Sequence, residues 1–116
     1  WESVLLISSL KLKNMKIIID YNGLQSSTHN KDTHPSLDPI DIKFKSFGWS
    51  SAVCDGHNLI EIERNLKKNH NKPFALIAKT IKGYPVSFMK NVPLWHYRSP
   101  NKNELSKAKE EIINAK

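Results

Sequence analysis

Three consecutive β-branched residues, Ile17-Ile18-Ile19, run straight into Asp20-Tyr21-Asn22-Gly23-Leu24-Gln25. Stiff branched side chains favour a pleated strand, and the abrupt change to polar residues with a glycine ends it in a loop. The same signature recurs twice. Trp49 to Cys54 reads as a second strand closed by Asp55-Gly56, and Pro73 to Thr80 holds Phe74-Ala75-Leu76-Ile77-Ala78, a buried third strand after Met15 to Asp20.

Helical patterns separate these runs. Residues 2–12 carry Val4, Leu5, Leu6, Leu10 and Leu12, which suits a packed helix. Asp38-Pro39 opens another: Asp38 is a good N-cap, Pro39 suits the first helical position, Ile40, Phe44 and Phe47 share one face, and Gly48 stops it. Asn58 with Glu61 makes a capping-box-like start for a third helix, with Leu59, Ile62 and Leu66 on its buried side. Ser99-Pro100 begins the last, whose Leu105, Ala108 and Ile112 share a face. Strands alternating with helices predict βαβ units, hence an α/β fold with a parallel sheet flanked by helices. Residues 81–98, with two prolines, form a long irregular segment, and such segments are usually functional.

At 116 residues the chain is expected to be one domain at most, and its start at Trp1 suggests a fragment, a processed chain or the ordered part of something larger. Its net charge of +7 comes from lysines scattered over several elements, while only Arg98 stands beside aromatics, Trp95 and Tyr97. A nucleic-acid reader pairs a basic stripe with arginines and stacking aromatics, so solvated helix faces are the better reading. The apolar blocks are too short to span a membrane. Cys54 is the single cysteine, which rules out an intrachain disulfide, fits a reducing compartment such as the cytoplasm, and reads as buried packing.

In open α/β sheets ligands gather at the carboxyl ends of strands. Asn22 there could offer a side-chain oxygen to a hard cation and the following loop a main-chain carbonyl, a donor set that Mg²⁺ accepts when a diphosphate completes its octahedron. Alone, Asn-Gly is more often just a turn. His29, Asp32 and His34 have a spacing that could bind a metal, although an exposed loop is the simpler reading. Asp55-Gly56-His57 is expected to make a turn and a helix cap.

Taken in order, Trp1-Glu2, Asp20 to Gln25, Phe47-Gly48-Trp49, Asp55 to Asn58, Lys79-Thr80-Ile81-Lys82-Gly83 and Trp95-His96-Tyr97-Arg98-Ser99-Pro100 resemble the C-terminal half of the diphosphate-binding domain of transketolases, across residues 1–116. Val86-Ser87-Phe88-Met89-Lys90-Asn91 followed by Trp95-His96 most resembles split transketolases, in which the two cofactor-binding domains are separate polypeptides. The resemblance implies part of a thiamin diphosphate-binding fold and a transferase that moves a two-carbon ketol unit between sugar phosphates. It implies that Asn22, by its side chain, and Leu24, by its carbonyl, bind Mg²⁺ or Ca²⁺. Lys82 and His96 would reach the diphosphate, with His96 at the edge of the reaction site, and Glu2 would join a carboxylate network at a subunit interface. The partner it implies is a pyrimidine-binding domain or C-terminal transketolase subunit, in a homo- or hetero-oligomer, with no role for nucleic acid or membrane. Deoxyxylulose phosphate synthase, which shares a D-G-H turn and a K-G segment, is the alternative within the cofactor class, and a non-catalytic remnant acting in assembly is the alternative outside it. The family's glycine–aspartate–glycine motif, which supplies the first cation ligand, is not in this sequence.

Overall fold

The structure, a computed structural model, describes residues 1–115. Along the chain run α1 (Glu2–Ser9), β1 (Lys16–Tyr21), β2 (Leu24–Gln25), β3 (Thr28–His29), α2 (Asn30–Thr33), α3 (Ile40–Ser46), β4 (Ser50–Asp55), α4 (Leu59–Lys67), β5 (Phe74–Lys79), a 3₁₀ turn (Pro93–His96) and α5 (Lys102–Asn114). They fall into two compact units: Trp1–Tyr21 with Ser36–Thr80, and Asn22–Pro35 with the chain from Ile81 onward. Among the described residues no helix is long and apolar enough to cross a membrane.

The first unit is built on a parallel three-stranded sheet in the order β1-β5-β4, as the βαβ reading requires. β5 has a neighbour on each side, which explains its unbroken apolar sequence: Phe74 to Ala78 are all buried. On one face Ala75 and Ile77 pack with Val4 of α1, Phe44 of α3 and Trp49, and Ile17 and Ile19 of β1 join them. Trp49 is locked by its indole N–H, which donates to the Val4 carbonyl at 2.9 Å, and by the edge of Phe44, centroids 5.5 Å apart. On the other face Phe74, Leu76 and Ala78 pack with Cys54, Ile62 and Leu66. Cys54 is buried, as expected, and desolvation raises its thiol pKa.

Several boundaries differ from expectation for local reasons. α1 stops at Ser9, and Leu5, Leu6 and Leu10 stay exposed while Val4 alone is buried. Helix α3 starts at Ile40 with Pro39 at the cap and no side-chain capping bond. Asp38 is occupied elsewhere, accepting a 2.5 Å hydrogen bond from the Tyr21 hydroxyl. Desolvation, with the Asp38 carboxylate beside it, pushes the Tyr21 pKa up to about 12. At α4 the Asn58 side chain accepts from the main-chain N–H groups of Ile60 and Glu61, both at 3.1 Å. Glu61 does not close the box; it accepts from the Asp55 N–H at 3.2 Å. Ile62 and Leu66 face the core, but Leu59 is 78% exposed, because it opens the helix beyond the carboxyl ends of the strands.

The second unit holds a short antiparallel hairpin, β2 with β3, then α2, the 3₁₀ turn and α5. α5 begins at Lys102 under a full capping box. The Asn101 side chain accepts from Glu104 N–H at 3.0 Å, and the Glu104 carboxylate accepts from Asn101 N–H at 2.8 Å. Arg98 donates to the same carboxylate at 2.6 Å. One turn from the end, Glu111 accepts from the Ser87 main-chain N–H, and from the Ser87 hydroxyl at 2.7 Å. Of the apolar face expected on α5, Ala108 is buried while Leu105 and Ile112 stay substantially exposed. Polar contacts rather than a wide apolar face therefore tie α5 to residues 87–98.

Ile18 and Leu76 are register partners, yet Ile18 is 53% exposed and Leu76 0%. In urea titrations of the 116-residue chain, Leu76→Ala should lower the unfolding free energy by about 2–5 kcal/mol, and Ile18→Ala by less than about 1 kcal/mol.

Two carboxylates make the anchoring of α5 acid-sensitive. The Asn101 N–H and Arg98 hold Glu104 below its usual 4.5, and the Ser87 hydroxyl and N–H do the same for Glu111. Depressed folded-state values mean that this stabilisation is present above the ordinary carboxylate pKa and is lost as pH falls through the lower folded values. Amide hydrogen exchange in α5 should therefore rise as pH falls below 4.5, beyond the intrinsic pH effect. The Glu104→Gln/Glu111→Gln variant should be faster-exchanging at pH 6 and nearly flat across the same range.

Candidate functional site

Asn22 follows the last residue of β1, where the ladder ends and its side chain turns on itself. Its amide oxygen accepts from the Leu24 N–H at 2.8 Å, an Asx turn around Gly23, whose φ of +73° suits glycine. The Gly23 carbonyl then accepts from Asn30 N–H at 2.9 Å, fastening the hairpin over the turn. An amide oxygen has two lone pairs, so one remains on Asn22 after this bond. Both metal-ligand candidates, Asn22 and Leu24, thus sit in a single closed turn.

Lys82 and His96 are fourteen residues apart in sequence and meet in space: Lys82 Nζ is 2.9 Å from His96 Nδ1. Three local devices bring them together. The Lys82 carbonyl accepts from Asn91 N–H at 2.9 Å, closing the intervening loop at its base. Gly83 turns at φ +86°, and a Cβ there would strike the Met89 main chain, so no larger residue fits. Trp95 then pins the 3₁₀ turn, its indole N–H donating to the Phe88 carbonyl at 3.0 Å and its ring edge-on to Phe88. Arg98 covers the Trp95 ring at 4.5 Å while paired with Glu104, so the cap of α5 also steadies the residue beside His96.

The chemistry of the pair follows from donor counts. An ammonium group has hydrogens and no lone pair, so Lys82 donates and Nδ1 accepts. That leaves the imidazole proton on Nε2 and two ammonium hydrogens unspent. His96 is exposed and Lys82 half-buried, and together they present donors and positive charge, a pairing suited to phosphoryl oxygens.

Glu2 lies in the other unit. It opens α1 in the first unit, exposed, with its carboxylate 3.3 Å from the Trp1 amino group. A main-chain hydrogen bond, then the amino group, lowers its pKa. Asp55-Gly56-His57 makes the expected turn: His57 N–H donates to the Asp55 carboxylate at 2.9 Å, and a Cβ at Gly56 would press on the Lys79 carbonyl at 2.9 Å. The H-x-x-D-x-H residues lie on β3, α2 and the residue after it, and among the described residues no group of His, Cys, Asp and Glu could hold a metal ion. Sequence reading missed the loop closure by Asn91 and the Arg98–Glu104 anchor; the capping-box spacing Asn101-x-x-Glu104 was the available signal for the second.

No protein-family model matches the chain. It is 35% identical over 114 residues to an apulose-4-phosphate transketolase subunit of Actinobacillus succinogenes, covering 97% of this chain and 41% of that protein. It is 31% identical over 115 residues to the transketolase of Homo sapiens, covering 97% of this chain and 18% of that protein. A 6-deoxy-6-sulfo-D-fructose transketolase subunit of a Clostridium species is 32% identical over 91 residues, covering 76% of this chain and 33% of that protein. The crystal structure of a Campylobacter jejuni transketolase superposes with a TM-score of 0.79 at 23% identity, over 95% of this chain and 17% of that one, and so shares the fold. The chain spans about two fifths of the apulose-4-phosphate transketolase relative and under a fifth of the human enzyme. Over the stretch that it spans, the chain is similar in sequence to transketolases and transketolase subunits and shares the fold of a transketolase.

Proposed function

We propose that this chain forms part of a thiamin diphosphate-dependent transketolase and supplies the diphosphate and cation side of the cofactor site. The convergence of Lys82 and His96 at 2.9 Å is the observation that carries the reading. The family resemblance assigns both residues to the diphosphate, and here two sequence-distant donors meet with hydrogens to spare. When bound, the cofactor would supply the carbanion chemistry that cleaves and re-forms the bond to a two-carbon ketol unit.

In this reading Lys82 supplies countercharge and hydrogens to phosphoryl oxygens, and it holds the His96 imidazole in the Nε2–H tautomer. His96 then donates from Nε2 to the diphosphate or to a substrate oxygen at the edge of the site. Asn22 gives its remaining lone pair, and Leu24 its main-chain carbonyl, to a divalent cation. Oxygen donors of this kind suit Mg²⁺ or Ca²⁺. Glu2 belongs to a carboxylate network at an interface and takes no part in holding the diphosphate. Because the donors from this chain are neutral, the cation's charge must be met by the diphosphate and by a carboxylate from another segment.

Sugar phosphates are the proposed substrates, and a pyrimidine-binding domain or a C-terminal transketolase subunit the proposed partner, in a homo- or hetero-oligomer of the cytoplasm. The split form is favoured by the resemblance of residues 86–96, and two of the relatives are named as transketolase subunits, which accords with it. The three relatives are transketolases or their subunits, which favours ketol transfer over deoxyxylulose phosphate synthesis.

Two measurements on the assembled holoenzyme test this. Asn22→Leu removes a ligand at similar volume and should weaken cation-dependent cofactor binding by about 100-fold or more, whereas Leu24→Ala leaves the main-chain donor and should change it less than about 5-fold. Equal and small effects would make Asn22 only a turn residue. For the second site, long-range ¹H–¹⁵N spectra of the neutral His96 ring should show hydrogen on Nε2 alone; Lys82→Met should mix the tautomers and reduce diphosphate affinity. An unchanged tautomer in that variant would remove Lys82 as the orienting group.

A further inference from the structure

Lys11, Lys13 and Lys72 line one hollow of about 210 Å³ in the first unit, together with Ser8, Gly48 and Asn71. It lies at the amino ends of the strands: Lys13 precedes β1, Gly48 precedes β4 and Lys72 precedes β5. Among the described residues the ion pairs involve Lys45, Lys67, Arg98, Lys107 and the Trp1 amino group, so no carboxylate answers these three lysines.

The chain is shaped to leave them around the hollow. After α1 the backbone turns at Lys11, whose φ of +54° is left-handed, with Lys11 N–H on the Ser8 carbonyl at 3.0 Å and Lys13 N–H on the Lys11 carbonyl at 2.9 Å. Gly48 has φ +87°, and a Cβ there would meet the Ser8 hydroxyl oxygen at 2.7 Å, so glycine keeps that wall open. The carboxyl end of α1 contributes roughly half a negative charge. One lysine offsets that, and the remaining positive charge is unmet. Every polar side chain lining the hollow can donate a hydrogen bond, and none is a carboxylate.

We propose that this hollow binds the phosphate group of a small molecule, either inorganic phosphate or a phosphate monoester. Lysine serves phosphate as a point charge, and the Asn71 amide and Ser8 hydroxyl add neutral donors to a tetrahedral dianion. The lysines surround one concavity rather than forming a stripe, and no aromatic lines it, which sets it apart from a nucleic-acid track. The site stands independently of the roles given to Asn22, Lys82 and His96.

Lysine acetylation read by mass spectrometry on the assembled protein tests it with a site-resolved signal. Inorganic phosphate at ten times its Kd should slow labelling of Lys11, Lys13 and Lys72 by about 10-fold, the factor for a blocked single site. Lys109 on α5 should label unchanged. The Lys13→Gln variant should raise the phosphate concentration needed to protect Lys11 and Lys72 by about 2–5-fold, the worth of one exposed charge contact. A sugar phosphate used as the second probe separates the sources: tighter protection than with inorganic phosphate identifies an ester ligand, and equal protection identifies free phosphate. The proposal is overturned if protection does not saturate, if chloride at equal ionic strength reproduces it, or if Lys13→Gln leaves it unchanged.

Discussion

The two-sided hydrogen bonding of β5 is the constraint from which the first unit follows. A strand paired with β1 on one side and β4 on the other has no free edge, and its side chains point alternately into two packed layers. Phe74 to Ala78 must then be apolar at every position, because neither face reaches water. β1 and β4 each have one neighbour and tolerate half-exposed positions, Ile18 and Val53 among them. The parallel register also brings the carboxyl ends of the three strands to one edge, so that Tyr21, Asp55 and Lys79 leave the sheet together.

That edge is held by polar bonds rather than by packing. The Thr80 hydroxyl donates to the Asp20 carboxylate, and Thr80 N–H donates to the Tyr21 carbonyl at 3.2 Å, adding a rung beyond the ladder. Gly56 N–H donates to the Lys79 carbonyl at 2.7 Å on the other side. These bonds satisfy main-chain groups that the sheet has stopped pairing. Within the second unit the segment from Ile81 obeys the same accounting. Asn91 takes the Lys82 carbonyl, Trp95 takes that of Phe88, and Glu111 takes the Ser87 N–H. A segment with little regular structure is thereby fixed by named bonds, which is what places His96 against Lys82.

Sequence patterns revealed whatever depends on local periodicity or on one side chain acting on its own backbone. The isoleucine run and the Phe74 block became strands within a residue of their expected limits, and Asn58 capped α4 as read. Two of the misses involve choices between competing partners. Asp38 could cap α3 or receive the Tyr21 hydroxyl, and Glu61 could close its box or receive Asp55 N–H; spacing alone does not rank such options. Leu59 fits the buried stripe of α4 by period, yet the helix begins beyond the strand ends. The β2–β3 hairpin was illegible because two residues per strand carry no detectable alternation. Of the candidate site, Asn22 was suggested by its place at a strand end, whereas Lys82 and His96 were named only through family resemblance; their contact depends on a loop closure that no spacing announces.

In the proposed reading, the charge balance of the candidate site calls for completion by another segment. In the second unit Glu104 and Glu111 are already committed, one to Arg98 and the cap of α5, the other to Ser87. Among the described residues no group of three or more His, Cys, Asp or Glu could hold a metal ion. Asn22 and Leu24 can contribute only neutral oxygens, and Lys82 with His96 contributes only donors. A dication bound by neutral ligands alone keeps its full charge, which the diphosphate and a further carboxylate would have to balance. In the proposed reading the division of labour would be electrostatic: this chain would position the ligands, and the countercharge would come from the cofactor and from a carboxylate of another segment.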